Sequence, residues 1–81
     1  MSRLASEVWL WEEAGRLFAL LRTNASEERV RTRLCALGLC GLIEACERRA
    51  DATRVRGGTH VVVTFREGVT RDDVRATLER V

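Results

Sequence analysis

The sequence predicts a small α+β domain of winged-helix-like type, and three observations lead there. Apolar residues at helical spacing fill the first half of the chain, a Gly57-Gly58 pair sits inside a β-branched run, and Thr70 with Asp73 marks the start of a last helix. The expected order is three helices, a β-hairpin and a C-terminal helix. In numbers, helices fall at about 4–22, 25–37 and 39–50, the hairpin at about 52–65 and the last helix at 71–81. A chain of 81 residues buries about 60% of its unfolded surface and has room for one core, so a single domain is expected.

The first helix rests on Leu4, Val8, Trp11, Phe18 and Leu21, which recur every three or four residues. Trp9, Leu10, Leu17 and Leu20 widen the apolar surface beyond one stripe. On a helix turning about 100° per residue Trp9 and Trp11 point some 200° apart, so one of them is left outside the core. That surplus predicts a homo-oligomer with Trp9, Leu10 and Leu20 at its interface.

Asn24 followed by Glu27 reads as a capping box for the second helix, with Ser26 as a rival cap, and Val30, Leu34 and Leu37 as its buried stripe. Gly38 suits the helix end. Leu39, Leu42, Ile43 and Cys46 then follow the spacing of a third helix, with Glu44 and Arg48 as an i, i+4 pair. Two short helices around a glycine turn are the skeleton of a helix-turn-helix. The third helix carries Glu44 and Glu47 where a recognition helix would carry donors, and only Arg48 and Arg49 suit phosphate.

Strands are expected at about 52–56 and 59–65, joined by a Gly-Gly turn of type I′ or II′. The face of Val61, Val63 and Phe65 should meet the helices. Arg54, Arg56 and Arg66 make the hairpin locally basic, so a wing along a phosphate backbone would use these three together with Arg48 and Arg49. For the last helix, Thr70 and Asp73 form a capping box, Val69 and Val74 a hydrophobic staple, and Val74, Leu78 and Val81 the buried stripe.

Composition narrows the chemistry. Hydrophobic residues make up 46% and charged residues 32%, as in a globular protein. All 14 basic residues are Arg, but a formal net charge of +2 confines any basic patch to one region. With no Lys or Tyr, one His and no nucleophile beside a base, no catalytic residue is expected and the chain is read as a non-enzyme. Cys35, Cys40 and Cys46 lie in an apolar segment without a Cys-x-x-Cys knuckle, so they are expected to be reduced core thiols, and neither a metal nor another cofactor is expected. Glu7, Glu12 and Glu13 interrupt any signal-peptide layout, and the uncharged run Leu34–Ile43 is too short for a membrane span. The location expected is therefore intracellular: cytoplasmic, or nuclear in a eukaryotic or viral setting.

The functional expectation is a non-enzymatic binding module, a winged-helix-like nucleic-acid-binding protein acting as a homo-oligomer. The alternative is a homo-oligomeric protein-interaction or adaptor module that binds no nucleic acid. The partners are a second copy, then nucleic acid or another protein, and no membrane.

Overall fold

Glu7–Glu13 and Arg16–Arg22 fold back on each other as two antiparallel strands, β1 and β2, joined by Ala14-Gly15. Both turn residues have positive φ, 54° and 76°, the backbone a two-residue type I′ turn needs to match strand twist. The computed structural model describes residues 3–49 and 60–81. After β2 come α1 (Glu27–Ala36), a short 3-10 turn at Cys40–Leu42, β3 (Ile43–Arg49), β4 (His60–Phe65) and α2 (Arg71–Leu78). The four strands form one antiparallel sheet in the order β1-β2-β4-β3. Because β2 and β3 both pair antiparallel with β4, they run parallel to each other with α1 as their crossover, a split β-α-β unit.

Both helices lie on one face of the sheet. Val30 and Leu34 of α1 and Val74 and Leu78 of α2 share a single buried cluster with Leu17, Ala19 and Leu21 of β2 and Val61, Val63 and Phe65 of β4. Each fully buried aliphatic side chain there contributes about 1.5–3 kcal/mol relative to exposure. Alternation along β2 and β4 sends every second residue to the opposite face, which among the described residues no helix covers.

The winged-helix arrangement is thereby overturned: the chain has a four-stranded antiparallel sheet and two α-helices among its described residues. The region expected as a helix at 4–22 is the β1–β2 hairpin. Its strands are apolar on both faces, and two overlapping period-two patterns supply the three- and four-residue spacings of a helix. The helix expected at 39–50 is the 3-10 turn followed by β3. A β-bulge between Ile43 and Ala45 shifts the strand's phase by one residue, so Ile43 and Cys46 both face the core three positions apart, which imitates a helical stripe. Glu44, at that bulge, forms an ion pair with Arg16 of β2 rather than with Arg48.

The other elements fall nearer expectation. α1 starts at Ser26, whose hydroxyl accepts the Arg29 amide at 3.2 Å, so Ser26 rather than Asn24 is the cap. The second expected strand is β4, but it pairs with β2 and β3; the strand at 52–56 and the Gly57-Gly58 turn lie outside the described residues. The capping box of Thr70 and Asp73 is formed, and α2 ends at Leu78.

The cysteines depart from expectation. Gly38, at φ 91°, reverses the chain after α1 and brings the Cα atoms of Cys35 and Cys40 to 4.1 Å, where the two residues form a disulfide. Only Cys46 is a free thiol, and it is buried. Burial pushes that thiol above its ordinary range, the Arg31 guanidinium lowers it and the Glu27 carboxylate raises it further. Its Sγ donates weakly to the Glu27 carbonyl at 3.8 Å.

Candidate functional site

The face of the sheet turned away from the helices is the candidate site, and strand register lays it out in rows. Across one end run Glu7, Arg22, His60 and Arg49; next come Trp9, Leu20, Val62 and Glu47; then Trp11, Phe18, Thr64 and Ala45; beyond them Glu13 stands opposite Arg16. The two middle rows are apolar over β1 and β2, and on β4 the apolar surface continues at Val62 but gives way to Thr64. Trp11 and Phe18 stack across the strands with centroids 5.2 Å apart and planes 14° apart, a cross-strand aromatic pair of the kind that stabilises a sheet and leaves broad apolar area facing outward. Trp9 is 39% exposed, the most open large hydrophobic side chain among the described residues.

Charges ring this centre and are already matched. Arg22 donates to Glu7 at 2.9 Å, Arg49 lies 3.6 Å from Glu47, and Arg16 pairs with Glu44. The indole nitrogen of Trp11 donates to Glu13 at 3.4 Å. An apolar centre with a rim of both signs is the anatomy of a protein interface. His60 is fully buried and neither ring nitrogen has a hydrogen-bond partner; its cross-strand neighbours are Arg22 and Arg49.

The residues expected from sequence are only partly gathered. Trp9 and Leu20 are cross-strand partners on the open face, joined there by Trp11 and Phe18, which the helical reading had assigned to the core. Leu10 points the other way and packs against the buried cluster, so it leaves the interface set: strand period, not helical period, decides its face. Among the arginines, Arg48 and Arg49 end β3 beside His60, whereas Arg66 follows β4 at the opposite end of the sheet, roughly 20 Å away at the strand rise of about 3.3 Å per residue. Arg54 and Arg56 lie outside the described residues. Among the described residues no group of three or more His, Cys, Asp or Glu side chains is placed to hold a metal ion, and no helix is long and apolar enough to cross a membrane. The signal that could have found the site is the tandem of apolar residues on both parities, Val8-Trp9-Leu10-Trp11 and Leu17-Phe18-Ala19-Leu20-Leu21, separated by Ala14-Gly15 at hairpin distance.

Fold and face together define a two-layer α+β protein with one sheet face that no helix covers among the described residues. Comparison with family models, with curated proteins and with solved structures returned no match.

Proposed function

We propose that this protein is a non-enzymatic interaction module that pairs with a second copy of itself through the open sheet face. The observation that carries the reading is the self-complementarity of β1 and β2. Register sets the acids of β1 beside the arginines of β2, Glu7 with Arg22 and Glu13 with Arg16, and the aromatics between them, Trp9 with Leu20 and Trp11 with Phe18. A two-fold axis parallel to the strands and midway between them therefore lays Glu7 over the partner's Arg22, Glu13 over the partner's Arg16, and the two apolar rows over one another. This is a closed, isologous contact between aligned sheets. Only two strands of each copy meet, which places the contact below about 1,200 Å² in total and makes the dimer a weak, concentration-dependent one.

Sedimentation equilibrium tests it. The expected result is a monomer–dimer equilibrium between about micromolar and millimolar concentration, lost in Trp9→Ser. Glu7→Arg and Arg22→Glu should each dissociate alone yet form a heterodimer when mixed, since each then faces the opposite charge; repair of the internal Glu7–Arg22 pair cannot produce that. A monomer at every concentration would sink the reading.

Nucleic-acid binding draws less support, because Arg16, Arg22 and Arg49 are each paired with an acid on the same face. A salt titration with duplex DNA separates the two, a steep log–log slope favouring nucleic acid. For location we propose the cell interior, on the buried free thiol of Cys46. Cys35 and Cys40 should then be trapped as thiols in acid-quenched cells, because reducing compartments keep such pairs open; a bridge intact in quenched cells would point to an oxidising compartment.

A further inference from the structure

β1 is the edge of the sheet, and its outward backbone faces a groove. The two-residue turn makes Glu13 and Arg16 a hydrogen-bonded pair, so residues 7, 9, 11 and 13 bond to β2 while Val8, Leu10 and Glu12 turn their N–H and C=O groups outward. Helix α2 runs antiparallel alongside that edge. At one end Arg71 Nε lies 3.3 Å from the Glu12 carboxylate; at the other, the Val81 backbone oxygen accepts the amides of Leu4 and Ala5. Between strand and helix is an open groove of about 520 Å³ whose lining includes Val8 and Leu10, the arginines Arg71 and Arg75, and the acids Glu7 and Glu79 toward its other end. Among the described residues Arg75 has no ion pair.

The spacing of the two arginines suits an extended chain. Four residues apart on a helix, they stand about 6 Å apart along its axis, and side chains on one face of a strand recur about every 6.7 Å. We infer that the β1 edge takes a peptide as a fifth strand, with carboxylates at alternate positions meeting Arg71 and Arg75 and apolar side chains between them extending the Trp9–Trp11 face. Main-chain bonds to Val8, Leu10 and Glu12 supply the attachment and the arginines the selectivity, as in other strand-addition sites. A second copy of β1 is a poor occupant. It carries one acid, Glu12, on the helix side, and antiparallel pairing centred on Leu10 sets Glu7 opposite the partner's Glu13, a like-charge pair that disfavours the register.

The groove borders the sheet-face dimer at Glu7 and Trp9, so its test runs on a fluorescein-labelled, end-blocked peptide of alternating Val and Glu, read by anisotropy at a protein concentration where wild type is monomeric. The expected result is saturable binding that Arg75→Glu weakens at least about tenfold, while Arg75→Lys retains most of it. The Val and Lys analogue should not bind. Val8→Pro, which removes one outward N–H without touching the β1–β2 ladder, should weaken binding with the thermal transition retained. N-methylation of alternate peptide amides should do the same from the other side. Equal binding of the Lys peptide, indifference to Arg75→Glu, or no binding of the Glu peptide would overturn the inference, as would a dimer that Val8→Pro abolishes and Trp9→Ser does not.

Discussion

The two faces of the sheet share strands but not chemistry. On the helix side Leu17, Ala19, Leu21, Val61, Val63 and Phe65 are no more than 1% exposed. On the other side Trp11, Phe18 and Leu20 are half-buried and Trp9 is open, with paired charges around them. The first set is mostly of moderate size and interlocks with two helices. The second is large, flat and ends in water. On β1 and β2 the large outer side chains are thus the more open ones, whereas His60 and Val62 of β4 on the same face are buried, so the β1–β2 part of the outer face is the part left for contact with something else.

Neighbouring leucines put that contrast to its hardest test. Leu21→Ala removes a fully buried side chain and should cost about 2–5 kcal/mol of stability by urea unfolding. Leu20→Ala, one residue away on the open face, should cost about 1 kcal/mol or less in the dilute monomer, and its main effect should be weaker self-association. Equal destabilisation by the two would erase the distinction between the faces.

The next effect belongs to the covered side alone. Opening the Cys35–Cys40 bridge with a reductant frees a six-residue loop and should lower stability by about 2 kcal/mol in the chain-entropy account, leaving the open face untouched. Changed dimerisation after reduction would show that the two faces are coupled.

The turn that holds both faces of the hairpin in register offers a gain. Ala14 occupies the left-handed region at φ 54°, where a residue with a Cβ is disfavoured by about 1–2 kcal/mol and Asn is better tolerated. Ala14→Asn should therefore stabilise the protein by about 1 kcal/mol, read as a higher urea midpoint with unchanged slope. A loss would mean that the turn is held by something beyond its backbone preference.

Smallest is an alkaline effect on the covered face. Burial raises the Cys46 thiol above its ordinary 9.0, so the folded state holds a proton that the unfolded state gives up. The stability from this group is full below the unfolded pKa and is lost as pH rises through the folded one. With no Lys or Tyr in the chain and the other two cysteines bridged, little else titrates there. Unfolding midpoints measured from neutrality to about pH 10 should fall in wild type and stay nearly flat in Cys46→Ala.

Legibility in the sequence tracked how one-sided each element is. α2 is buried along one stripe, Val74 and Leu78, and its Thr70–Asp73 box stands where the residues put it. α1 was nearly as clear, with Ser26 in place of Asn24 as its cap. β4 showed as a strand because Val61, Val63 and Phe65 alternate, though its partners are non-local and no local signal names them. β1, β2 and β3 were misread as helices for two separate reasons. The hairpin buries one face and holds the other for contact, so both parities are apolar, and Ala14-Gly15 lacks the Asn or Asp that usually marks such a turn. In β3 the bulge altered the phase. The candidate face follows the same logic: Trp9 and Leu20, singled out by surplus apolar surface, stand on the open face, whereas Leu10 faces the buried cluster and Trp11 and Phe18 face outward, because the period is two rather than helical.

One contact at the margin of the fold has a topological consequence. The Val81 backbone oxygen accepts from Leu4 and Ala5, so the two ends of the described chain meet and the path through the sheet and helices closes almost into a ring. The order in which the elements are strung is then separable from the arrangement they adopt. A chain spliced from Val81 to the segment before Leu4 and opened between Ala14 and Gly15 would keep every strand neighbour it has now, with β2 as its first element and β1 as its last.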